Sequence, residues 1–144
     1  MSRVNVKKTI KAPADKVWQV LRAFGNLEAF IPAVNKTVLE GEGVGMKRVC
    51  TMANGNRIVE RLESLDDEKR VLRYSVLETQ APISGYVADM FIRDAGEGAT
   101  EIEWTSEFAA PEETRAESER QIAGLYSMSI RGLERLCREK KPEA

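Results

Sequence analysis

Histidine is absent from this chain of 144 residues, and cysteine occurs only twice. Histidine is the commonest general base, the usual activator of a serine or cysteine nucleophile, and the commonest zinc ligand in proteins. Its absence excludes the usual catalytic triads and every metal site built on histidine. Any catalysis must therefore depend on carboxylates, tyrosine, lysine or arginine, and we expect neither a bound metal nor a cofactor.

The two cysteines do not form a disulfide framework. Cys50 lies in a strand-like segment, whereas Cys137 lies near the end of a helix-like one. Scattered thiols of this kind are a poor basis for a stabilising crosslink. We expect both side chains to be reduced.

Long hydrophobic runs and an excess of one charge are also absent. No apolar stretch approaches membrane-spanning length, and the N-terminal residues lack the apolar segment of a signal peptide. The 22 basic side chains nearly balance the 23 acidic ones, so no overall field attracts the chain to nucleic acid or anionic lipid. We expect a cytoplasmic protein without nucleic-acid binding or membrane insertion, as a monomer or a weak homodimer.

The apolar residues that are present suffice for one core. They make up 42% of the chain, and 144 residues is an ordinary size for one domain. Two complete domains would be cramped in this length. We therefore predict a single domain over residues 1–144.

The first part of the chain predicts a strand followed by a short helix. Apolar and polar residues alternate over residues 3–11, as in a half-buried strand. Pro13 suits the first turn of a helix, and apolar residues then recur at helical spacing up to Gly25. A further helical turn is expected before Pro32, which ends it.

Turn signals divide the middle of the chain at intervals that suit antiparallel strands. They lie at residues 41–43, 54–55, 66–68, 81–82 and 96–98. Asn54 and Gly55 favour a tight type I′ hairpin turn, in which both central residues need positive φ.

The last part of the chain predicts one long helix over residues 111–140. Acidic residues open this segment, while Arg138, Lys140 and Lys141 close it, which matches the helix dipole at each end. Its apolar residues recur at steps of three and four, so one stripe faces the sheet. The pattern indicates an α+β domain in which a bent six- or seven-stranded sheet is covered by this helix.

The inward faces of the predicted strands are apolar, with a few polar groups. Side chains that share these faces are Met46, Arg48, Cys50, Met52, Ile58, Glu60, Leu62, Leu72, Tyr74, Val76, Tyr86, Ala88, Met90, Ile92, Ile102, Trp104, Ser106 and Phe108. One helix cannot fill the hollow of a strongly bent sheet, and the small residues Ala88, Ser106, Ser129 and Gly132 are expected to leave room. We therefore expect an internal cavity suited to a small molecule.

Arg48 and Glu60 are the charged members of these faces. The hairpin brings them within reach of each other, so we expect a buried ion pair. They could hold a ligand carboxylate or hydroxyl, they could neutralise each other as a structural pair, or Glu60 could serve as a proton shuttle.

Several short segments carry a family resemblance. They are Gly45-x-x-Arg48, Asn54-Gly55, Glu60-Arg61-Leu62, Leu65-Asp66-Asp67, Tyr74, Tyr86 and Trp104-Thr105. With the order of elements, they resemble the START-like or Bet v 1-like (SRPBCC) superfamily, and within it the polyketide cyclase/dehydratase and lipid-transport group, which is similar to the plant abscisic acid receptors. The resemblance implies a helix-grip fold: a curved seven-stranded antiparallel sheet, in the order β-α-α-β-β-β-β-β-β-α, wrapped around a long C-terminal helix.

The resemblance also implies the residues that line the pocket. These are Arg48, Cys50, Met52, Glu60, Tyr74, Val76, Tyr86, Ala88, Leu125 and Ser129, to which we add the inward-facing Leu62, Met90, Trp104 and Ser106. The chain departs from the plant receptors where they carry a carboxylate-binding lysine, because Pro32, Ala33 and Val34 stand there. It also lacks their expanded gate loop and their latch, so we expect no gated phosphatase partner.

Three functions fit this sequence. The first is binding, transport or sensing of a small hydrophobic molecule such as a lipid, an isoprenoid or a polyketide. The second is a cyclase or dehydratase that uses Glu60 as base, with Tyr74 and Tyr86 donating hydrogen bonds to a carbonyl. The third is a protein-interaction module whose cavity is filled by its own side chains. The first is favoured because a fold does not by itself imply an activity.

Overall fold

The computed structural model describes residues 1–138 and contains the expected succession of strands and helices. The elements are β1 (Ser2–Ile10), α1 (Ala14–Arg22), a 3-10 turn (Leu27–Ala29), β2 (Val34–Glu40), β3 (Lys47–Met52), β4 (Arg57–Asp66), β5 (Val71–Glu78), β6 (Ser84–Gly96), β7 (Ala99–Ala109) and α2 (Glu112–Cys137). The strands form a seven-stranded antiparallel sheet in the order β1-β7-β6-β5-β4-β3-β2. The predicted α+β helix-grip fold is confirmed.

Irregular pairing helps this sheet to bend around α2. The register shifts between Val34 and Lys36 in β2, at two places in β4, and near both ends of β6. Such irregularities bend a strand and increase its local twist. Along β7 the inward side chains alternate regularly with half-exposed ones, so one face of the sheet belongs to the core.

The hairpin between β3 and β4 corrects the predicted turn. Its loop has three residues, Ala53, Asn54 and Gly55, and only Gly55 has a positive φ, of 89°. The backbone N–H of Gly55 donates to the Met52 oxygen at 2.9 Å, and that of Met52 donates to the Asn56 oxygen at 2.8 Å. This is the three-residue hairpin that ends in a glycine bulge, not the two-residue type I′ turn.

The helix α1 ends before Gly25, where its apolar spacing was expected to end, because the chain leaves helical geometry after Ala23. Ala14, Val17, Trp18 and Leu21 form its buried face. Phe24 and Asn26 then adopt positive φ values of 65° and 55°, which turn the chain toward the 3-10 segment. The predicted helical turn before Pro32 is present.

The helix α2 covers the concave face of the sheet and ends at Cys137. Arg138 is extended, with ψ 146°, so the described helix ends three residues before residue 140, where the segment was predicted to end. Lys140 and Lys141, which were expected to complement its dipole, lie outside the described residues. Gly132 is buried in α2, where a Cβ atom would overlap the carbonyl oxygen of Phe30.

Neither α1 nor α2 combines the length and hydropathy that a membrane crossing needs, and this holds for all helices within residues 1–138.

Candidate ligand-binding cavity

A cavity of about 240 Å³ lies between the sheet and the middle of α2. Its lining residues are Leu27, Ile31, Val34, Arg48, Cys50, Met52, Ile58, Glu60, Tyr74, Val76, Thr79, Ala81, Ile83, Tyr86, Trp104, Gln121, Ile122, Leu125 and Tyr126. Most of these side chains are apolar. The exposed Ala81 and Gln121 show that one wall, between the β5–β6 loop and α2, reaches the surface.

Arg48 and Glu60 form the expected ion pair at this cavity. They lie directly opposite each other on β3 and β4, and Nε of Arg48 donates to Oε1 of Glu60 at 2.7 Å. Their side chains are only 9% and 13% exposed. Burial opposes the charge on Arg48, but the neighbouring Glu60 carboxylate keeps the pKa of the guanidinium above its ordinary value.

Two aromatic rings hold the Arg48 guanidinium in place. Its carbon lies 3.9 Å from the centre of the Phe24 ring and 4.9 Å from that of Tyr74. Its Nη1 also donates to the main-chain oxygen of Phe24 at 3.2 Å. A positive φ is uncommon for a bulky residue, so the backbone at Phe24 is strained in the conformation that makes both contacts.

Three tyrosine hydroxyls meet at another part of the cavity wall. The hydroxyls of Tyr74 and Tyr86 are hydrogen-bonded at 3.1 Å, and that of Tyr86 is also bonded to Tyr126. Trp104 Nε1 donates to the Tyr74 oxygen at 3.1 Å. The indole of Trp104 stacks on the ring of Tyr126, with 4.0 Å between their centres and 9° between their planes.

Burial keeps the ionisable groups of this wall neutral. It raises the pKa of Tyr74 and Tyr86 well above the ordinary value, and that of Tyr126 to about 12. Burial, followed by the negative charge of Glu60, raises the pKa of the Cys50 thiol to about 11. The tyrosines are therefore hydrogen-bond donors rather than bases at neutral pH, and Cys50 is not a ready nucleophile.

Most of the predicted ligand contacts line the cavity, but five do not. Those that line it are Arg48, Cys50, Met52, Glu60, Tyr74, Val76, Tyr86, Trp104 and Leu125. The five buried elsewhere are Leu62, Ala88, Met90, Ser106 and Ser129. Alternation along a strand identifies the face of a side chain but not its depth. Leu62, Ala88 and Met90 belong to the packed core, together with Ile130 and Leu133 of α2. As ligand contacts, the lining residues remain a prediction.

The prediction from sequence did not identify some of the residues that line the cavity. Tyr126 lies on the apolar stripe of α2, and the polar tip of this otherwise apolar side chain was the signal that could have found it. Thr79, Ala81 and Ile83 lie in or beside a loop, where no periodicity indicates which side chain points inward.

Comparison with known proteins identifies the family. Residues 1–138 match the family model described as polyketide cyclase / dehydrase and lipid transport. The chain belongs to this family. Its resemblance to the abscisic acid receptors is confirmed by PYL2 of Arabidopsis thaliana, which is 34% identical over 86 residues, 56% of this chain and 45% of the receptor. The chain thus matches about half the length of this relative.

Solved structures of other proteins share this fold. The XoxI protein of Bacillus cereus has a TM-score of 0.86 and 23% identity, with 95% of this chain and 96% of that chain covered. Norcoclaurine synthase of Thalictrum flavum, solved with dopamine and hydroxybenzaldehyde, has a TM-score of 0.75 and 19% identity, with 94% and 85% covered. At these identities the likeness concerns the fold alone.

Proposed function

We propose that the protein binds a small hydrophobic molecule in the cavity between the sheet and α2, in order to carry or sense it. The observation that supports this most directly is the unfilled space of about 240 Å³, with mostly apolar walls and a few polar groups. This composition is typical of small-molecule sites, in which apolar area supplies affinity and polar groups supply orientation.

The size of the cavity limits the ligand. A dry cavity of roughly 150 Å³ accommodates benzene. The cavity of about 240 Å³ therefore suits a monocyclic or short branched molecule better than a long acyl chain. Among the three predicted ligand classes, a small isoprenoid or an aromatic polyketide fragment fits more readily than an intact lipid.

Relatives of the chain support binding of small molecules by this fold. PYL2 is a receptor for abscisic acid, and norcoclaurine synthase was solved with dopamine and hydroxybenzaldehyde. Neither ligand transfers to this chain, because the receptor match covers half of its length and the synthase likeness concerns the fold. The shared element is a small organic molecule held within a helix-grip domain.

An enzyme of the cyclase or dehydratase type is the second candidate. Oε1 of Glu60 accepts a hydrogen bond from Arg48, whereas Oε2 accepts none from the described residues. That oxygen is a candidate proton acceptor, and Tyr74 and Tyr86 are candidate donors to a carbonyl. We rank this function lower because a buried ion pair of this geometry also serves a purely structural role.

The third candidate, an interaction module with a filled cavity, has less support. Side chains from both the sheet and α2 leave the space open. The cytoplasmic location, the monomeric or weakly dimeric state and the lack of nucleic-acid binding remain predictions from composition.

Binding can be tested with the tryptophan that lines the cavity. The chain has only two tryptophans, so a Trp18→Phe background leaves Trp104 as the reporter. Val76 and Leu77 are neighbours on β5, and only Val76 lines this cavity. Val76→Phe should abolish the fluorescence response to small aromatic probes, while the matched Leu77→Phe variant should retain it. Equal responses in both variants would contradict binding in the cavity.

Native mass spectrometry of protein purified from its own host tests the same proposal with the natural ligand. A copurified small molecule that is lost in Val76→Phe supports the proposal. Once a ligand is known, Glu60→Gln separates the first two candidates. An enzyme should lose turnover while binding persists, whereas a carrier shows no turnover in either form.

A further inference from the structure

The hydroxyls of Tyr74, Tyr86 and Tyr126 form a chain in which hydrogens can be counted. These are all three tyrosines of the sequence, and all three line the cavity. Two hydrogen bonds join them, from Tyr74 to Tyr86 and from Tyr86 to Tyr126. The fourth member, Trp104, only donates, because an indole N–H has no acceptor capacity.

Two bonds use two hydroxyl hydrogens, but three tyrosines supply three. If Tyr74 donates to Tyr86 and Tyr86 to Tyr126, the hydrogen of Tyr126 is left over. If Tyr126 donates to Tyr86 and Tyr86 to Tyr74, the hydrogen of Tyr74 is left over. If Tyr86 accepts from both neighbours, the hydrogen of Tyr86 itself is left over. Every arrangement of these two bonds leaves one O–H without an acceptor among the tyrosines. Only a third bond, between Tyr74 and Tyr126, would close a ring that uses all three hydrogens, and within the described residues the Tyr74 hydroxyl is hydrogen-bonded to Tyr86 and Trp104 instead.

Ser106 does not change this count. Its buried hydroxyl lies beside Tyr126 and makes no hydrogen bond within the described part of the protein. If it rotated to join the chain, four hydroxyls would share three bonds, and one hydrogen would still be left over. A buried donor without an acceptor is costly, so an acceptor supplied by a ligand would be favourable here.

The charges at the cavity select against an anionic ligand. Glu60 already neutralises Arg48, and Phe24 occupies a further donor of the guanidinium. A ligand carboxylate would add an uncompensated negative charge next to Glu60 in a buried space. The buried tyrosines are neutral at ordinary pH and do not offset that charge.

Building on the function proposed above, we infer that the cavity selects uncharged molecules with one hydrogen-bond acceptor, such as a ketone oxygen. This acceptor receives the hydrogen bond from the tyrosine hydroxyl that has no acceptor within the chain. The donor is shared among three side chains, since rotation of the hydroxyls moves it from one end of the chain to the other. Ligands that differ in the position of the acceptor can therefore be held by the same three tyrosines.

Three probes of similar size and different polarity test this inference. They are cumene, which has no acceptor, acetophenone, which is a neutral ketone, and benzoate, which is an anion. Dissociation constants are measured by Trp104 fluorescence and by calorimetry. The relevant quantity is the ratio of the acetophenone constant to the cumene constant, which is compared between the wild type and a variant with all three tyrosines changed to phenylalanine.

Removal of the three hydroxyls should shift this ratio against acetophenone by roughly three- to tenfold, as expected for one neutral hydrogen bond. Tyr86→Phe alone should leave the ratio nearly unchanged, because Tyr74 and Tyr126 each keep a free hydrogen. Trp104 Nε1 loses its acceptor when Tyr74 is changed, so calorimetry also measures the ratio in the triple variant that carries Trp104→Phe in addition. An unchanged ratio in that fourfold variant would overturn the inference, since it would mean that Arg48 or no group at all binds the ketone.

A spectroscopic measurement on the wild type avoids dependence on the folding of the triple variant. The carbonyl stretch of bound acetophenone should lie below its frequency in an apolar solvent, as a hydrogen-bonded carbonyl does. A stretch at the apolar value would overturn the inference.

Benzoate tests the charge argument. It should bind the wild type more weakly than acetophenone does, and Glu60→Gln should improve its binding by roughly tenfold or more, because the Arg48 charge is then no longer neutralised. Tighter binding of benzoate than of acetophenone to the wild type would overturn the inference. If no probe responds to Val76→Phe, the proposed function fails as a whole. If all respond but the ratios do not move, only the selectivity fails.

Discussion

The Phe24 main-chain oxygen accepts a hydrogen bond from Arg48, and the Phe24 ring lies 3.9 Å from the guanidinium carbon of that same arginine. One residue with positive φ thus supplies both an acceptor and an aromatic face to a buried cation. Glu60 and Tyr74 contact the guanidinium from other directions. Arg48 is consequently fixed in position before any ligand arrives.

Removal of Arg48 alone should be more harmful than removal of the whole ion pair. Arg48→Met leaves the Glu60 carboxylate buried without its partner, and we expect a loss of about 3–5 kcal/mol in the free energy of unfolding. The double variant Arg48→Met/Glu60→Leu removes both charges and should recover most of this loss. Urea unfolding measures both values. An equal loss in the single and double variants would show that Glu60 is not desolvated.

Two glycines of α2 provide a matched pair. A methyl group at Gly132 would overlap the Phe30 carbonyl, so Gly132→Ala must displace the segment that follows the 3-10 turn. At Gly124 a Cβ atom meets nothing within 4 Å, so Gly124→Ala should stabilise the helix by about 0.5–1 kcal/mol. Thermal unfolding should therefore move in opposite directions for the two variants. A neutral Gly132→Ala would mean that the helix and the turn are less tightly apposed than the structure shows.

Alkaline pH should destabilise the protein through its tyrosines. Their pKa values are raised on folding, so the stability they contribute is present below their unfolded pKa, near 10, and is lost as pH rises through the folded values. The urea midpoint should fall above about pH 10, and less steeply in Tyr126→Phe, which removes one of these groups. A midpoint that stays constant up to the folded pKa of Tyr126, about 12, would contradict this.

Cys50 should resist thiol reagents in the native state. The rise of its pKa from 9.0 to about 11 lowers the thiolate fraction at neutral pH roughly a hundredfold, and the side chain is 2% exposed. In a Cys137→Ala background, Ellman's reagent should react with Cys50 only slowly until urea exposes it. Rapid native reaction would indicate that the cavity opens freely to solvent.

The hairpin between β3 and β4 shows both the strength and the limit of prediction from sequence. The parity of Arg48 and Glu60 correctly indicated a shared inward face, and their ion pair is confirmed. A two-residue turn at Asn54 and Gly55 would, however, have shifted the register by one residue and turned Glu60 to the other face. The extra loop residue, Ala53, is what places the two charges opposite each other.

The residues that line the cavity could be predicted only in part, because local sequence patterns do not determine long-range packing. The alternation that identified Tyr74, Tyr86 and Trp104 also selected Met90 and Ala88, which are buried but lie away from the cavity. The difference is the depth at which α2 crosses the sheet. That depth depends on long-range packing, and a single strand carries no local signal for it.

The close approach of Gly132 to Phe30 has an evolutionary consequence. It locks the C-terminal part of α2 against the segment after α1, while the cavity borders the middle of the helix around Ile122 and Leu125. A descendant that must accept a bulkier cargo cannot gain room by sliding the helix as a whole. The additional space has to come from the opposite end, where the loops around Ala81 and after Met52 can become longer or carry smaller side chains. Relatives that bind ligands of different size should therefore differ in sequence most in these loops.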